Sequence, residues 1–483
     1  MLYNRKTVCV LGAGNAGLFA AIYLKRMLNG MDVYVVGSSE LGIVGVGESS
    51  TEHVMQFLHM LNVEHKEVVQ QCGATFKYGV HFKDWLKEGK DYVHSLVTDT
   101  NEQGIDFDVV AGMATGQDNT ELLPPNYWSW EVDAKLDALP NQFHFDTQKL
   151  NKWLHKKCSE VGVRIYDDMI TTVNHDDGFV TSIESESTEY KADLFVDASG
   201  FKRIIANEIP EFQFVSKQDD LFVDSAFAFQ CPHEGDNYSL FTTAQKMSAG
   251  WMWRIPTSER MGNGYAYSSK HISYEDAVKE VTEKLGFEPK VGRTFKFEAG
   301  HYNKTFNKNV VLIGLSSHFF EPLEATAIGV GLQQAKLLVK YANSTTPEAQ
   351  KGYNDKIQWM FEHMFMFIRL HYVNCEVTSP FWQDVENSVL PENLQKLIDI
   401  NNDRMLVCED LGEQTGWDWR MFGSDNFNQI FWALGLLSKE KVADFLYSYG
   451  RLPRKHTFTS RKQFKHKELI DKWNSEYENS INN

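Results

Sequence analysis

The sequence contains few cysteines, and none of them is arranged to bind a metal or to cross-link the chain. Its 483 residues include six cysteines, and no two of them form a Cys-x-x-Cys pair. This pattern excludes the common zinc sites and a disulfide framework. We expect reduced thiols, no bound metal and a cytoplasmic location. The cysteines are Cys9, Cys72, Cys158, Cys231, Cys375 and Cys408.

Positive charge and long apolar runs are also scarce. The chain has 48 lysines and arginines against 65 acidic residues, and its net charge is −17. An acidic protein repels nucleic acid and anionic membranes, so neither is an expected partner. The apolar run Val8 to Leu24 resembles a signal peptide, but glycines and an asparagine interrupt it. We therefore expect no targeting segment and no membrane span.

The first motif is a glycine-rich turn between a predicted strand, residues 7–11, and a predicted helix, residues 18–28. Residues 32–36 form a second predicted strand. This strand–turn–helix–strand order predicts a dinucleotide site. In such a turn the glycines permit a tight bend and close approach of a pyrophosphate, and the helix start supplies amides. The predicted cofactor contacts are Gly12, Gly14, Asn15, Ala16 and Gly17.

The acidic residue that usually follows the second strand, and that binds ribose, is missing. We expect Ser38 or Glu40 to replace it. A further glycine-rich stretch follows, in which backbone could lie close to a flat ligand. The alternative is an ordinary loop before a helix over residues 52–61, with residues 49–51 as its cap. The stretch consists of Gly45, Val46 and Gly47.

The segment Gly73 to Trp85 contains Lys77 between two aromatic residues, Phe76 and Tyr78. An ammonium in such partly dry surroundings needs a partner or lowers its pKa. It can donate hydrogen bonds to a small oxidant or react as an amine. The alternative is a surface lysine with its stem lying along a strand.

Several motifs in this order resemble the flavin-dependent tryptophan halogenase family. The N-terminal Gly-x-Gly-x-Ala-Gly turn is followed by Gly-Val-Gly-Glu and by the Phe-Lys-Tyr-Gly segment at Lys77. The segment Phe143 to Leu150 is similar to the family's histidine–phenylalanine–aspartate segment, and Asp146 is predicted to cap the helix behind it. The remaining motifs are Trp251-Met-Trp253-Arg-Ile255-Pro256 and Glu321-Pro-Leu-Glu324.

The resemblance implies a role for each of these positions. It places Glu324 as the catalytic glutamate and puts the halide at Thr326 and the amide of Ala327. Ala327 stands where the family usually has glycine, and a φ above zero would cost more there. Trp251, Trp253, Ile255 and Pro256 form the wall between flavin and substrate, and Gly314 and Leu315 belong to the flavin site.

The implied reaction is halogenation of an indole- or phenol-like substrate. Reduced FAD and oxygen give a hydroperoxide, halide converts it to hypohalous acid, and this acid passes the tryptophans to Lys77. Lys77 positions the acid by hydrogen bonding or forms a haloamine. Only one dinucleotide fingerprint is visible, so reduced FAD is expected from a separate reductase. We leave homo-oligomer formation open.

We expect an α/β protein with a Rossmann-like, FAD-binding monooxygenase fold. Residues 1–341 would form the flavin domain with an inserted β-sheet, and residues 342–483 a mostly helical part on the substrate side. Three alternatives remain. They are a flavin-dependent aromatic hydroxylase in which Lys77 is structural, a flavin reductase of the isoprenoid-saturating type, and a non-catalytic flavoprotein.

Overall fold

The computed structural model describes residues 5–43, 48–96, 105–133, 142–412, 421–457 and 463–482. The chain divides into two compact units, each assembled from three segments. The first unit consists of Met1–Gly73, Phe145–Lys217 and Glu298–Glu362. The second unit consists of Ala74–His144, Gln218–Phe297 and His363–Asn483.

The centre of the first unit is a six-stranded sheet that is parallel except at one edge. Its inner strands are buried on both faces, as the unbroken apolar run Val8 to Leu11 requires. In spatial order the strands are Phe306–Asn307, Val310–Leu312, Leu194–Asp197, Thr7–Leu11, Asp32–Gly37 and Arg164–Asp167. Two three-stranded sheets accompany it, formed by Thr172–Asp176, Phe179–Glu184 and Glu189–Tyr190, and by Phe214–Ser216, Gly300–Tyr302 and His318–Phe319.

Helices cover this sheet, and the two that are most deeply buried, Asn15–Met27 and Ala327–Tyr341, are buried on most of their surface. The helix Asn15–Met27 buries Leu18, Phe19 and Ile22, and basic residues occupy its last turn, where they complement the helix dipole. The helix Thr147–Glu160 begins where the Asp146 side chain accepts hydrogen bonds from two backbone amides, which confirms the predicted cap. The other helices of the unit are His53–Met60, His65–Cys72 and Ala327–Tyr341, and Pro347–Leu370 begins in it.

The centre of the second unit is a seven-stranded sheet, antiparallel except between residues 79–83 and 241–247. In spatial order its strands are Val291–Lys296, Ser225–Cys231, Met261–Tyr267, Gly250–Pro256, Phe241–Met247, Gly79–Lys83 and Tyr92–Ser95. The unit's helices are Phe107–Met113, Pro125–Trp128, Tyr274–Leu285, Pro380–Asn387, Glu392–Asp403, Ser424–Ala433, Lys439–Ser448 and His466–Asn482. Short strands pair Thr75–Phe76 with Phe143–Phe145, and Gln463–Lys465 with Glu131–Asp133.

The structure confirms the α/β class and corrects two details. The helix predicted over residues 52–61 is His53–Met60, and its N-cap is Glu52, not a residue from 49 to 51. The Thr51 hydroxyl bonds the His53 ring instead of capping the helix. The predicted boundary after residue 341 does not coincide with a division between the units, because the inserted sheet groups with the C-terminal helices.

Among the residues described, no helix is both long enough and apolar enough to span a bilayer.

Candidate active site

The glycine-rich turn of the first unit has the geometry of a pyrophosphate cradle. A Cβ on Gly12, whose φ is 121°, would lie 2.3 Å from the Ala198 carbonyl oxygen. A Cβ on Gly17 would lie 2.0 Å from the Gly12 carbonyl oxygen, so both positions require glycine. A Cβ on Gly14 would meet no atom within 4 Å, and the helix starts at the next residue. The turn therefore leaves space beside the helix N-terminus, where a phosphate is stabilised.

Two neighbouring residues of the turn have structural contacts. The Asn15 side-chain oxygen accepts a hydrogen bond from Asn151 at 3.0 Å, which fixes the start of the helix. Ala16 lies against Gly314, whose φ is 64° and on which a Cβ would lie 2.9 Å from the Ala16 Cβ. The Gly314 amide donates to the Gln334 side-chain oxygen, so this glycine serves close packing. Leu315 follows in the short 3-10 helix Gly314–Ser316.

An acidic group that the sequence alone did not reveal lies beside the end of the strand Asp32–Gly37. Gly37 is paired with Asp167 on the adjacent strand. The Asp167 carboxylate accepts hydrogen bonds from the Ser39 amide and hydroxyl at 2.8 and 2.6 Å, and these bonds lower the pKa of Asp167. Ser38 accepts from the Glu40 amide at 3.3 Å. An acid is thus present at this end of the sheet, supplied by a different strand from the one expected.

Glu324 ends a one-turn 3-10 helix, Pro322–Glu324, in the first unit. Its side chain is buried at 1% exposure, and Thr326 is buried at 3%. Between them Ala325 adopts a left-handed conformation with φ of 56°. Ala327 is the first residue of the helix Ala327–Tyr341, so its backbone is right-handed. The strain considered for Ala327 therefore falls on Ala325 instead.

Lys77 extends the short strand Thr75–Phe76 in the second unit. Its amide donates to the Gln142 carbonyl at 3.0 Å, which continues the pairing of Thr75 with His144 and of Phe76 with Phe143. The side chain has 0% exposure, which excludes the surface-lysine alternative. Neighbouring residues on a strand point to opposite faces, so Lys77 shares a face with Thr75 and Phe76 lies on the other face.

A fully buried histidine lies on the lysine face. The Thr75 hydroxyl donates to the Pro256 carbonyl at 2.5 Å, so the His144 Nδ1–H donates to the Thr75 oxygen at 3.2 Å. The other ring nitrogen accepts from the Thr242 hydroxyl at 3.0 Å. Burial, and then the charge of Lys77, hold the pKa of His144 well below its usual value. His144 is therefore a neutral side chain, and both of its ring nitrogens form hydrogen bonds.

The opposite face is closed by a residue from the far end of the chain. The Phe76 amide donates to His466 Nε2 at 2.9 Å, and His466 Nδ1 donates to the Tyr238 carbonyl at 3.1 Å. The two rings are stacked with centroids 5.7 Å apart. Burial lowers the pKa of His466 to about 3. The lysine strand is thus fixed from behind by a neutral histidine.

The tryptophan motif occupies the strand Gly250–Pro256 of the same unit. Trp251 and Trp253 lie on one face with ring centroids 6.0 Å apart, as their spacing predicts. Trp253 rests on Gly264, where an added Cβ would lie 2.0 Å from the indole. Ile255 shares this face by strand alternation. Pro256 ends the strand and accepts the hydrogen bond from Thr75.

Hydrogen bonding connects the tryptophan face of the sheet to the lysine segment. The strand pairing that joins Thr243 to Arg254 places Thr242 opposite Ile255, on the tryptophan face. Thr242 bonds His144, which shares a face with Lys77. The structure therefore brings the lysine segment and the tryptophan motif together within one unit.

Sequence reasoning missed Thr75, His144 and Thr242, although the alternation of Thr75 with Lys77 was a usable signal. The predicted contacts Gly45, Val46 and Gly47 lie outside the described residues.

The glycine turn, with its required Gly12 and Gly17 and the open space at Gly14, fits FAD. Together with the parallel sheet and the inserted antiparallel sheet, it defines a flavoprotein of the monooxygenase fold class.

Comparison with known proteins specifies the family. The tryptophan halogenase family model matches residues 7–446, so the chain belongs to this family. It is similar to the tryptophan 6-halogenase SttH of Streptomyces toxytricini, with 29% identity over 82% of this chain and 84% of that enzyme. It also resembles the solved structure of BrvH, a flavin-dependent halogenase from Brevundimonas, with 25% identity, coverage of 97% and 99%, and a TM-score of 0.81.

The fold is shared with a tryptophan halogenase from Shewanella frigidimarina, with a TM-score of 0.86, 21% identity and 98% coverage of both chains. Because the family model covers most of the chain, the protein is a flavin-dependent halogenase that uses halide and FAD reduced by a separate reductase.

Proposed function

We propose that the protein halogenates an electron-rich aromatic substrate of the indole or phenol class, and that Lys77 directs the halogen. The observation that carries this proposal is the complete burial of Lys77 directly after the short strand Thr75–Phe76, on the same face as the neutral His144. A dry, fixed amine is suited to hold or react with a small neutral oxidant, since no water competes for it. Bound reduced FAD, with oxygen and halide, supplies that oxidant as hypohalous acid.

Lys77 has two chemical options. As an ammonium it donates a hydrogen bond to the oxygen of hypohalous acid and makes the halogen more electrophilic. As a neutral amine it attacks the halogen, forms a nitrogen–halogen bond and releases water once a proton has been transferred to the departing hydroxide. In both cases the halogen is delivered from a position that the strand pairing of Lys77 with Gln142 fixes.

Glu324 is assigned the removal of the ring proton. When the halogen has added to the substrate ring, the carboxylate takes the proton from the same carbon and aromaticity is restored. Its burial at 1% exposure supports this role, because bulk water does not compete for the carboxylate. Thr326 and the Ala327 amide, at the start of a fifteen-residue helix, are assigned to halide, which the helix dipole favours.

Trp251, Trp253, Ile255 and Pro256 are assigned to the wall that separates flavin and substrate. Trp251 is buried at 1% exposure, whereas Trp253 is only partly buried. If hypohalous acid is to pass this wall, one of its rings must be packed in the protein and another must be accessible. The partial exposure of Trp253 supports its place on the accessible side. Gly12, Gly14, Asn15, Ala16, Gly17, Ser38, Gly314 and Leu315 are assigned to the flavin site.

The indole and phenol class is proposed because similar enzymes, such as SttH, are named tryptophan 6-halogenases. The test incubates the pure protein with a flavin reductase, FAD and bromide or chloride, and offers a panel of indoles and phenols. We expect products heavier by one halogen, only when halide is present. Products heavier by one oxygen, independent of halide, would instead support the aromatic hydroxylase.

We also propose a cytoplasmic location, supported by the six cysteines, all of which are free thiols. Fractionation of the native host with an antibody against the protein tests it, and recovery outside the cytoplasm would contradict it.

A further inference from the structure

Gln142 lies directly across the strand pair from Lys77. The pairs Thr75–His144 and Phe76–Phe143 fix the register, and the Lys77 amide bonds the Gln142 carbonyl at the next step. Residues opposite each other in an antiparallel pair project to the same face, with their Cβ atoms about 5 Å apart. Gln142 and Lys77 therefore share the face on which Thr75 contacts His144.

The side-chain oxygen of Gln142 is buried without a hydrogen-bond donor among the residues that the structure describes. The residue has 4% exposure. A buried amide oxygen without a donor is costly, and native proteins rarely keep one unless a water or ligand satisfies it. This oxygen is therefore able to accept a hydrogen bond from a small donor.

Three neighbouring polar side chains, those of Thr75, His144 and Thr242, have hydrogen bonds with partners other than Gln142. The Thr75 hydroxyl proton goes to the Pro256 carbonyl, and the Nδ1 proton of His144 goes to the Thr75 oxygen. His144 stays neutral, and its second nitrogen accepts from Thr242. None of these three hydrogen bonds involves the side-chain oxygen of Gln142.

We propose that Gln142 Oε1 accepts the O–H of hypohalous acid while Lys77 donates to the oxygen of the same molecule. The inference rests on the proposed role of Lys77. The oxygen of hypohalous acid carries one O–H donor and can also accept hydrogen bonds, so an acceptor and a donor across a strand pair can hold it. The halogen, which makes neither bond, is then the only free end and is presented to the substrate. Gln142 is a positioning residue that retains the oxidant until substrate is attacked.

The test replaces Gln142 by methionine, which has nearly the same shape but no amide. Three quantities are measured with reductase, FAD, bromide and an accepted indole: oxygen uptake, halogenated product, and halogenation of monochlorodimedone added as a trap for free hypohalous acid. We expect unchanged oxygen uptake, a fall of about tenfold in product per oxygen, as loss of one ordinary hydrogen bond predicts, and a matching rise in trap halogenation. The thermal midpoint should be unchanged or higher, because a buried orphan acceptor is removed.

Gln245→Met is the matched control, because Gln245 is equally buried at 3% but its amide donates to Asp84 at 2.7 Å. We expect this variant to lose thermal stability without releasing more hypohalous acid. If Gln142→Met does not fold, Gln142→Leu tests the same loss of the acceptor. An equal release of hypohalous acid by Gln245→Met and Gln142→Met would overturn the proposal.

Lys77→Ala distinguishes a failure of the proposed role of Lys77 from a failure of the role of Gln142. If Lys77→Ala keeps normal product per oxygen, the proposed role of Lys77 is wrong. If Lys77→Ala loses product while Gln142→Met matches the wild type in product and trap, only the role of Gln142 is wrong, and its oxygen binds ordered water alone. A Gln142→Met variant that loses oxygen uptake would show a structural role and overturn the positioning.

Discussion

Lys77 and Glu324, the two residues to which we assign chemistry, are held by different kinds of backbone. Lys77 continues a strand whose register is fixed by its pairing with residues 142–144. Glu324 ends a single 3-10 turn and is followed by Ala325 in a left-handed conformation. The lysine is positioned by pairing, which tolerates changes of side chain, whereas the glutamate depends on a strained turn. Variants that change the backbone conformation of this turn should therefore alter the position of the Glu324 carboxylate.

Of the variants that keep the shape of the site, Glu324→Gln is expected to reduce product formation most. The amide preserves shape but cannot take the ring proton, so product formation should fall by about 10²–10⁴. Oxygen uptake should continue, because the base acts after the oxidant has formed. Single-turnover assays with mass detection measure the fall. A loss below threefold would mean that Glu324 only complements the helix that begins at Ala327.

Trp253→Ala examines the wall in the unit that holds Lys77. Removing a fully buried aromatic ring costs about 3–5 kcal/mol, and the cost should be smaller here because Trp253 is partly exposed. Among folded molecules, product should fall while oxygen uptake persists. Urea denaturation gives the stability, and product per oxygen gives the coupling. Unchanged coupling in a destabilised variant would indicate that the indole only packs on Gly264.

One buried histidine in each unit should make the stability of the protein depend on pH. Burial lowers the pKa of His318 in the first unit and of His466 in the second to about 3. Below pH 6.5 the unfolded chain binds protons that the native histidines reject, so stability falls as the pH falls. Each histidine should contribute up to about 1.4 kcal/mol per pH unit between pH 6.5 and about 3.

Urea denaturation at pH 7.5, 6 and 5 measures this slope. His466→Gln, which can still hydrogen-bond Phe76 or Tyr238, should reduce it. An unchanged slope would show that His466 titrates normally in the native state.

The smallest effect is expected for Ala325→Gly. Glycine accepts a φ of 56° without the cost that alanine incurs, but it also loses more freedom on folding. We expect a net stabilisation of up to about 1 kcal/mol, seen as a higher urea midpoint, with little change in activity. A destabilised variant would mean that the alanine methyl group packs favourably at this turn.

Local patterns predicted the parts of the fold that depend on neighbouring residues. The bounds of Thr7–Leu11 and the cap at Asp146 follow from spacing and side-chain chemistry. Gly12 and Gly17 proved necessary for steric reasons that the motif already implies.

Contacts between distant segments could not be predicted in this way. His466 accepts a hydrogen bond from Phe76, which lies 390 positions earlier in the chain. Asp167 is paired with Gly37, although the two residues are far apart in the sequence. The surroundings of Lys77 likewise depend on Thr242, which strand pairing alone brings to His144. Burial of Lys77 and the orphan oxygen of Gln142 are properties of the packed unit, so no local signal carries them.

The central claim is that Lys77 acts on an oxidant that is already formed, and the most direct measurement is product per oxygen in Lys77→Ala. Oxygen uptake and halogenated product are recorded in one reaction with reductase, FAD, bromide and an accepted indole, and FAD binding is checked by titration. We predict normal FAD binding and oxygen uptake with almost no coupled product. Near-normal halogenation at one ring position would make Lys77 structural, and loss of oxygen uptake would assign it to the flavin site. Either result would contradict the account.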